Sequence, residues 1–281
     1  MGDQMPELPE VEHARSLLER FVVGQRIAKV RVGPDTIVCV EDRPQKIAKT
    51  FRGAVMEAPD RRGKQLWLPL VDRAAVLVHL GMTGAIRVRG EQGLQLVAHG
   101  SVEEHWPPRF EKFWLKLEND VEVAFTDPRR FGRLRLRKDP LHEPPISDLG
   151  PDPVVDEIDL GVVCDALLRR RAPIKSVLLD QKFMAGVGNW IADEACYQAK
   201  LNPHRLGVDL EQKEAKTLVK KTISVIQKAC SVDAEKDRFP RTWLFHNRWG
   251  KVQGARTTKG ELIQFDAIGG RTTAWVPVRQ G

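Results

Sequence analysis

One aromatic side chain is surrounded by basic residues in the stretch DPRRFGRLRLRK, residues 127–138. Pro128 and Gly132 predict a tight turn around Phe131, with Arg129 beside it. Proteins use an aromatic residue flanked by arginines on a turn to wedge into a stack of bases while holding phosphates. Alternating arginine and leucine is also typical of a solvated basic strand face. The pattern by itself leaves both interpretations open.

Three further stretches carry residues that could do related chemistry. In HLGMTGAI, Met82 lies in a tight turn, although alone it would count as a core methionine. In FMAGVGNWIADE, Gly186 and Gly188 precede a helix. The N–H groups of that turn and Asn189 could then hold a phosphate oxygen, although a plain connector is the commoner explanation. In GGRTTAWVP, a hairpin presents Arg271, which is either a phosphate clamp or a surface arginine.

The elements that must position these residues divide the chain into a β-rich part and a helical part. Apolar residues recur at helical spacing from Leu8 to Val22, and Gly24 follows, which predicts an amphipathic helix. Short alternating runs up to about residue 138 predict an antiparallel sandwich or barrel. DPLHEPPISDLGPDPVVDE contains five prolines and places a domain boundary near residue 150. Beyond it the spacing becomes helical, and residues from 241 onward indicate a hairpin.

The composition suits a partner that carries many negative charges. The chain has 45 Lys and Arg against 38 Asp and Glu, and residues 241–281 hold seven basic residues and two acids. A basic, well-solvated enzyme fits the same composition. The four cysteines show no C-x-x-C spacing, so neither a zinc knuckle nor a disulfide framework is expected. We also expect no membrane span and no secretory signal, hence an intracellular protein.

Six motifs in a fixed order give the chain a close resemblance to one family. They are PELPEVE, the GK of RRGKQL, HLGMTG, DPRRFG, LLDQ with GVGNWIADE, and GGRTTAWVP. This order resembles the formamidopyrimidine-DNA glycosylases, which include endonuclease VIII, over residues 5 to about 279. The resemblance implies an α+β fold with a catalytic helix and an antiparallel β-sandwich in residues 5–150. A helix-two-turn-helix DNA-binding domain would follow in residues 151–238, and a finger hairpin in residues 239–281.

The resemblance also implies a covalent mechanism. In that family the initiator methionine is removed, and the secondary amine of the next residue, here Pro6, is the nucleophile. Glu7 would be its acid–base partner, Glu10 would shape the pocket, and Lys64 would contact DNA phosphate and assist the chemistry. Attack at C1′ displaces the damaged base and leaves an iminium, which permits β-elimination and then δ-elimination of the phosphates. No metal or dissociable cofactor is needed.

The DNA contacts follow from the same resemblance. In members of the family, three side chains fill the gap that is left when the damaged nucleotide is flipped out. The matching residues in this chain are Met82, Arg129 and Phe131. The positions that contact phosphates correspond to Lys175, Asn189 and Arg271. We therefore expect a monomeric base-excision repair enzyme that acts on double-stranded DNA containing oxidised bases or abasic sites. If the source is a eukaryote, we expect it in the nucleus.

The chain departs from the bacterial members of the family in two places. Its C-terminal hairpin contains no cysteine, so a tetrahedral zinc site cannot form there. The hairpin resembles the zincless finger of plant and fungal members, in which we expect β-pairing alone to hold Arg271. The loop that folds over 8-oxoguanine in bacterial members is reduced to about SVDAEKDR. Formamidopyrimidines, hydantoins and abasic sites are therefore expected as substrates ahead of 8-oxoguanine.

The residues before Pro6 leave one alternative open. While Pro6 is joined to Met5, its nitrogen belongs to a tertiary amide whose lone pair is delocalised into the carbonyl. A chain that keeps these residues would be a non-catalytic protein that binds damaged DNA. We expect the working enzyme to begin at Pro6, after translation from Met5 and methionine removal. An RNA-binding protein is less favoured, because no platform of stacking aromatic residues is visible.

Overall fold

A computed structural model describes residues 5–91 and 105–281 of the chain. These residues form two compact units, each with its own apolar core. The unit that takes Glu10–Asp148 is called the sandwich unit. The unit that takes Glu7–Pro9 together with Leu149–Gly281 is called the helical unit.

The sandwich unit contains two four-stranded antiparallel sheets. Its strands are β1 (Ile27–Val32), β2 (Asp60–Arg62), β3 (Gln65–Leu70), β4 (Arg73–His79), β5 (Ala85–Val88), β6 (Glu111–Leu117), β7 (Glu122–Thr126) and β8 (Arg133–Arg137). One sheet has the order β1-β6-β7-β5 and the other has the order β2-β3-β4-β8. A single buried cluster contains Phe113 and Phe125 of the first sheet and Val76 and Leu134 of the second. The two sheets therefore share one core, as in a β-sandwich.

Two helices contribute to the core of the sandwich unit. Helix α1 spans Leu8–Val22, and its residues from Glu10 onward belong to this unit. Its apolar residues at helical spacing are buried, and Gly24 follows its end with a φ of 74°. Both features agree with the sequence prediction. Helix α2 (Pro44–Phe51) was not predicted; it begins at a proline and buries Ile47 and Phe51.

The helical unit surrounds a second core. Its helices are α3 (Leu160–Leu168), α4 (Ile174–Leu179), α5 (Asn189–Ala199), α6 (Gln212–Cys230) and α7 (Pro277–Gln280). Leu8 lies in the same buried cluster as Val187 and Trp190. Strands β9 (Gln264–Ile268) and β10 (Arg271–Trp275) form an antiparallel hairpin that turns at two glycines.

The mixed architecture of helices and antiparallel sheets confirms the predicted α+β class. The finer division at residues 5–150, 151–238 and 239–281 stays a prediction. Within the two described ranges, no helix combines the length and the apolar character that a bilayer crossing requires.

Candidate functional site

The carboxylate of Glu7 caps the amino end of helix α5. Its Oε1 accepts a hydrogen bond from the backbone N–H of Trp190 at 2.8 Å, and its Oε2 accepts one from Ile191 at 3.2 Å. Glu7 is buried, and the N–H groups and the dipole at a helix amino end both favour a negative charge. The helical unit therefore fixes the side chain of the residue that directly follows Pro6.

Gly188 leaves the space that Glu7 occupies. A Cβ atom at this position would lie 2.2 Å from Cδ of Glu7, so any larger residue displaces the carboxylate. One interpretation of the sequence left the N–H groups of this turn available to a phosphate. The N–H groups of Trp190 and Ile191, which follow this turn in α5, bind Glu7, and the phosphate contact of the turn and Asn189 stays a prediction.

Three other predicted site residues lie near Glu7 along the chain or at the start of α5. Pro6 is buried. Glu10 is also buried and lies in the first turn of α1, within the sandwich unit. Asn189 is the first residue of α5, and its buried Oδ1 finds no hydrogen-bond partner in the part of the chain that the structure describes. The role of each residue stays a prediction.

Lys64 lies in the turn between β2 and β3, beside His79 at the end of β4. Burial, and after it the charge of Lys64, lowers the pKa of His79 to about 4. The ring is therefore neutral at physiological pH. Its Nδ1 accepts the backbone N–H of Gly81 at 3.1 Å, so Nε2 carries the proton and is a donor. Sequence reasoning missed His79, although its place at the head of HLGMTG is a usable signal.

Asp127 joins the turns that carry Met82 and Phe131. Its carboxylate is fully buried in the sandwich unit. Oδ1 accepts the hydroxyl of Thr83 at 2.8 Å, and Oδ2 accepts the backbone N–H of Gly132 at 2.6 Å. One side chain therefore sets the spacing of both turns. Sequence reasoning missed this role of Asp127, which is the first residue of DPRRFG.

The same two turns are in backbone contact. Gly81 has a φ of 68°, and a Cβ atom there would lie 2.5 Å from the backbone of Phe131 and Gly132. Phe131 is 44% exposed, and Cζ of Arg129 lies 5.0 Å from the centroid of its ring. The structure thus brings Met82, Arg129 and Phe131 together, and their action on DNA stays a prediction.

Arg130 anchors the turn of Phe131 to a different loop. Its Nε and Nη2 donate to the two carboxylate oxygens of Asp35 at 2.9 and 3.0 Å, and Lys112 donates to the same carboxylate at 3.0 Å. Burial acts to raise the pKa of Asp35, but these hydrogen bonds hold that pKa well below its usual range. Asp35 therefore stays charged and keeps Arg130 engaged.

A second arginine–phenylalanine pair lies next to the turn of Phe131. The carbonyl of Phe110 accepts the backbone N–H of Asp127 at 3.1 Å. Phe110 is 47% exposed, and Cζ of Arg109 lies 4.6 Å from the centroid of its ring. Phe110 also has a φ of 64°, which residues other than glycine seldom adopt. An exposed phenylalanine beside an arginine is the signal that sequence reasoning passed over.

Lys175 lies at the centre of a buried group of charges. Its Nζ lies 2.6 Å from Oδ1 of Asp193 and donates to the carbonyl of Thr272 and the hydroxyl of Thr273, both at 2.8 Å. Burial lowers the pKa of Lys175, and the charge of Asp193 opposes that shift. Two hydrogen bonds and one ion pair within the protein therefore surround the ammonium group. In this structure the ammonium binds the protein, so the predicted contact of Lys175 with phosphate, which stays a prediction, would require the ammonium to leave these partners.

Asp193 extends this group to the hairpin and to a second cation. Its Oδ2 accepts Nη2 of Arg248 at 2.6 Å and the backbone N–H of Ala274 at 2.9 Å. Helices α4 and α5 therefore hold strand β10 through side chains. The expectation that β-pairing alone holds the hairpin is wrong. We refer to Lys175, Asp193 and Arg248 as the ion cluster.

Arg271 lies at the tip of the hairpin, directly after the glycine turn. Its side chain is exposed, and its guanidinium has no partner among the residues that the structure describes. This position leaves it open to an anion. Over residues 5–91 and 105–281, no three side chains of His, Cys, Asp or Glu form a group that could hold a metal ion. The zincless hairpin itself stays a prediction from the sequence.

Two family models match the chain. The formamidopyrimidine-DNA glycosylase N-terminal domain matches residues 5–134, and the formamidopyrimidine-DNA glycosylase H2TH domain matches residues 149–240. Curated relatives give the same result. The chain is 37% identical over 277 residues to the formamidopyrimidine-DNA glycosylase of Arabidopsis thaliana, covering 98% of this chain and 71% of the relative. It is 32% identical over 292 residues to that of Cereibacter sphaeroides, covering 98% and 100%.

Solved structures share the fold. The Lactococcus lactis formamidopyrimidine-DNA glycosylase, bound non-covalently to DNA that contains an abasic site, matches with a TM-score of 0.82 and 26% identity. That match covers 98% of this chain and 99% of the other. A mutant of the same enzyme in complex with DNA containing Fapy-dG matches with a TM-score of 0.82, 27% identity and the same coverage.

Proposed function

Because the chain belongs to the formamidopyrimidine-DNA glycosylase family, we propose that it removes oxidised bases from duplex DNA and then cleaves the abasic site. One observation carries this proposal beyond family membership. The residue that follows Pro6 is a buried glutamate whose two carboxylate oxygens are each held by a backbone N–H of α5. A fixed carboxylate next to a potential amine nucleophile is what an acid–base partner requires.

Pro6 acts as the nucleophile once its nitrogen is the amino terminus. An α-amine has a pKa of roughly 7.7 to 8.0, so part of it is neutral at cellular pH. Its lone pair forms a bond to C1′ of the damaged nucleoside, and the bond from C1′ to the base breaks. The base departs with that electron pair and takes up a proton. The nitrogen then loses its proton, and its regained lone pair forms a double bond to C1′ while the C1′–O4′ bond breaks and O4′ takes a proton, which leaves an iminium.

Glu7 carries protons in the steps before and after the iminium. The iminium withdraws electrons and makes the 2′-hydrogen acidic, so loss of that proton expels the 3′ phosphate. A second elimination expels the 5′ phosphate, and hydrolysis of the remaining imine restores the amine of Pro6. The hydrogen bonds from α5 stabilise the carboxylate form of Glu7, which accepts protons.

The DNA contacts are divided between side chains that fill the helix and side chains that hold phosphates. The exposed ring of Phe131, with Arg129 stacked on it and Met82 in the adjoining turn, fits the space left by a flipped nucleotide. We assign phosphate contacts to Lys64, Asn189 and Arg271, and a role in shaping the pocket to Glu10. The exposed tip of the hairpin supports the assignment of Arg271.

The preferred substrates are formamidopyrimidines, hydantoins and abasic sites, ahead of 8-oxoguanine. Only a short turn and a 3-10 helix, Lys236–Arg238, lie between α6 and the aromatic residues that follow. The enzyme works as a monomer without a dissociable cofactor, so its activity is expected to persist in a chelator. We place it in the nucleus of a eukaryotic cell, which the similarity to a plant relative supports.

The test uses protein that begins at Pro6 and a duplex with one formamidopyrimidine lesion. Base release is measured by mass spectrometry and strand cleavage by electrophoresis, for the wild type and for Glu7→Gln. We expect both products from the wild type, while Glu7→Gln binds the duplex but loses base release. Binding without either product in the wild type would overturn the proposal. That result would favour the alternative, a non-catalytic protein that binds damaged DNA.

A further inference from the structure

We propose that Lys175 is a positioning residue that fixes Arg271 for its phosphate contact. Its contacts with Thr272 and Thr273 thereby give the hairpin a single orientation without a metal ion. The inference rests on the proposed function, because it takes Arg271 as a contact to DNA. In this structure Lys175 itself is not open to the phosphate, since its side chain is completely buried and its ammonium has three protein partners.

The contacts of Lys175 fall on the two residues that directly follow Arg271. Its Nζ binds the carbonyl of Thr272 and the hydroxyl of Thr273. Side chains two residues apart in a strand point to the same face, so Arg271 and Thr273 share a face of β10. The glycine turn on the other side of Arg271 is also close to α4, because a Cβ atom at Gly269 would lie 2.9 Å from the hydroxyl of Ser176. Arg271 is therefore held from both sides.

A hairpin needs such contacts to present one side chain reproducibly. A two-stranded hairpin alone is only marginally stable in water. Without the contacts of Lys175, β9 and β10 would sample many orientations, and ordering them would oppose binding. A buried ammonium cannot exchange its partners for water at low cost, so this contact keeps one geometry.

The position of Asp193 separates two functions of α5. The amino end of this helix holds Glu7 through Trp190 and Ile191, whereas Asp193 in its interior holds the ion cluster. Loss of Lys175 should therefore weaken the contact of Arg271 with DNA and leave the chemistry at Glu7 intact. A role in stability alone would not produce this separation between affinity and rate.

The test measures the affinity for a duplex with a stable abasic-site analogue at several salt concentrations. Each phosphate contact contributes a slope of about −0.9 in log K against log salt. We expect Arg271→Ala to make the slope shallower by about 0.9, Lys175→Met to do the same, and the double variant to show no further change. Single-turnover cleavage of an abasic duplex at saturating DNA should stay within about twofold of wild type for Lys175→Met.

Two matched comparisons separate positioning from folding. Arg248→Met removes a cation from the carboxylate of Asp193. It removes no contact to residues 272 and 273, so it should keep the wild-type slope. Thr273→Val removes the hydroxyl that accepts from Lys175 and also donates to the carbonyl of Arg271 at 3.5 Å, whereas Thr273→Ser keeps it. We expect the valine variant to make the slope of log K against log salt shallower and the serine variant to preserve it. This pair keeps the inference testable even if Lys175→Met does not fold.

The inference is wrong if Lys175→Met keeps the full salt slope while Arg271→Ala makes it shallower. If the lysine variant does not fold, the same comparison is made with Thr273→Val. Lys175 would then serve stability alone. An unchanged slope in Arg271→Ala also overturns the inference, because its premise fails. In that case base release by the wild type would still uphold the proposed function, so the two failures are distinguishable.

Discussion

Glu7 accepts a hydrogen bond from the backbone N–H of Trp190 at 2.8 Å, although 183 positions separate the two residues. The carboxylate next to Pro6 is therefore set by the start of α5 and not by its own neighbours in the chain. This bond makes the catalytic proposal depend on the shape of one turn. The turn is GVGN, and Gly188 is the residue in it that touches Glu7.

Gly188→Ala tests this dependence. The φ of Gly188 is −126°, which alanine adopts without strain, so the added methyl acts only through its clash with Glu7. General acid–base catalysis contributes about 10²- to 10⁴-fold, and we expect base release to slow by about a hundredfold or more. Gly33→Ala is the control, because its Cβ would meet no atom closer than 3.6 Å. Wild-type rates in a folded Gly188→Ala protein would contradict the role of Glu7.

Phe131→Ala tests the wedge. The ring is exposed, so the substitution should leave the fold intact. Opening a duplex costs a few kcal/mol, so we expect excision from duplex DNA to slow by about ten- to a hundredfold. Cleavage of a single-stranded abasic oligonucleotide should change little, because there is no gap to fill. Val162→Ala, at another exposed apolar position, is the control. Equal losses on both substrates would remove Phe131 from the wedge.

The sequence predicted those parts of the fold whose pattern is local. Helix α1 and the alternation of β8 show burial at regular spacing, and Leu134 and Leu136 are buried between half-buried arginines as expected. The order of six motifs predicted the family, which the comparisons confirm. Helix α2 has only eight residues among turn-forming neighbours, which is too short for its spacing to stand out.

Long-range contacts could not be predicted in this way. The family resemblance implied a phosphate contact for Lys175, and lysine is almost never fully buried unless it is paired. Nothing near PIKSV indicates that Asp193 and Thr273 enclose its ammonium. The same limit applies to Asp127, whose two oxygens join turns that are far apart in the sequence. These residues become visible only when the folded chain brings their partners together.

The stability of the protein should depend on pH through Glu194. Burial raises the pKa of this carboxyl to about 7 from its usual 4.5. The folded state therefore binds this proton more tightly than the unfolded state does. The stabilisation that results is complete below about pH 4.5 and is lost as the pH rises to about 7. We expect the free energy of unfolding to fall across this window by roughly 1–3 kcal/mol more in the wild type than in Glu194→Gln. Denaturant unfolding at pH 5 and pH 7.5 measures the difference, and equal changes would contradict it.

The range of substrates should reflect the short segment after α6. On matched duplexes, we expect formamidopyrimidine or hydantoin lesions to be excised faster than 8-oxoguanine opposite cytosine. The physical reason is that residues 231–238 form only a tight turn and a 3-10 helix, so they offer little surface to cover a flipped purine. Single-turnover rates for each lesion are the measurement. Comparable rates would show that this segment does not set the preference.

The central claim is that the nitrogen of Pro6 forms the covalent bond to the sugar. The most direct measurement is borohydride trapping on an abasic duplex, followed by digestion and identification of the modified residue by mass spectrometry. Two purified forms are compared, one that begins at Pro6 and one that retains Gly2 to Met5, with each N-terminus verified by intact mass. We expect the first form to carry the adduct on Pro6 and the second to be trapped poorly, because its Pro6 nitrogen is an amide. Efficient trapping of the extended form through a lysine such as Lys64 would contradict the assignment of Pro6.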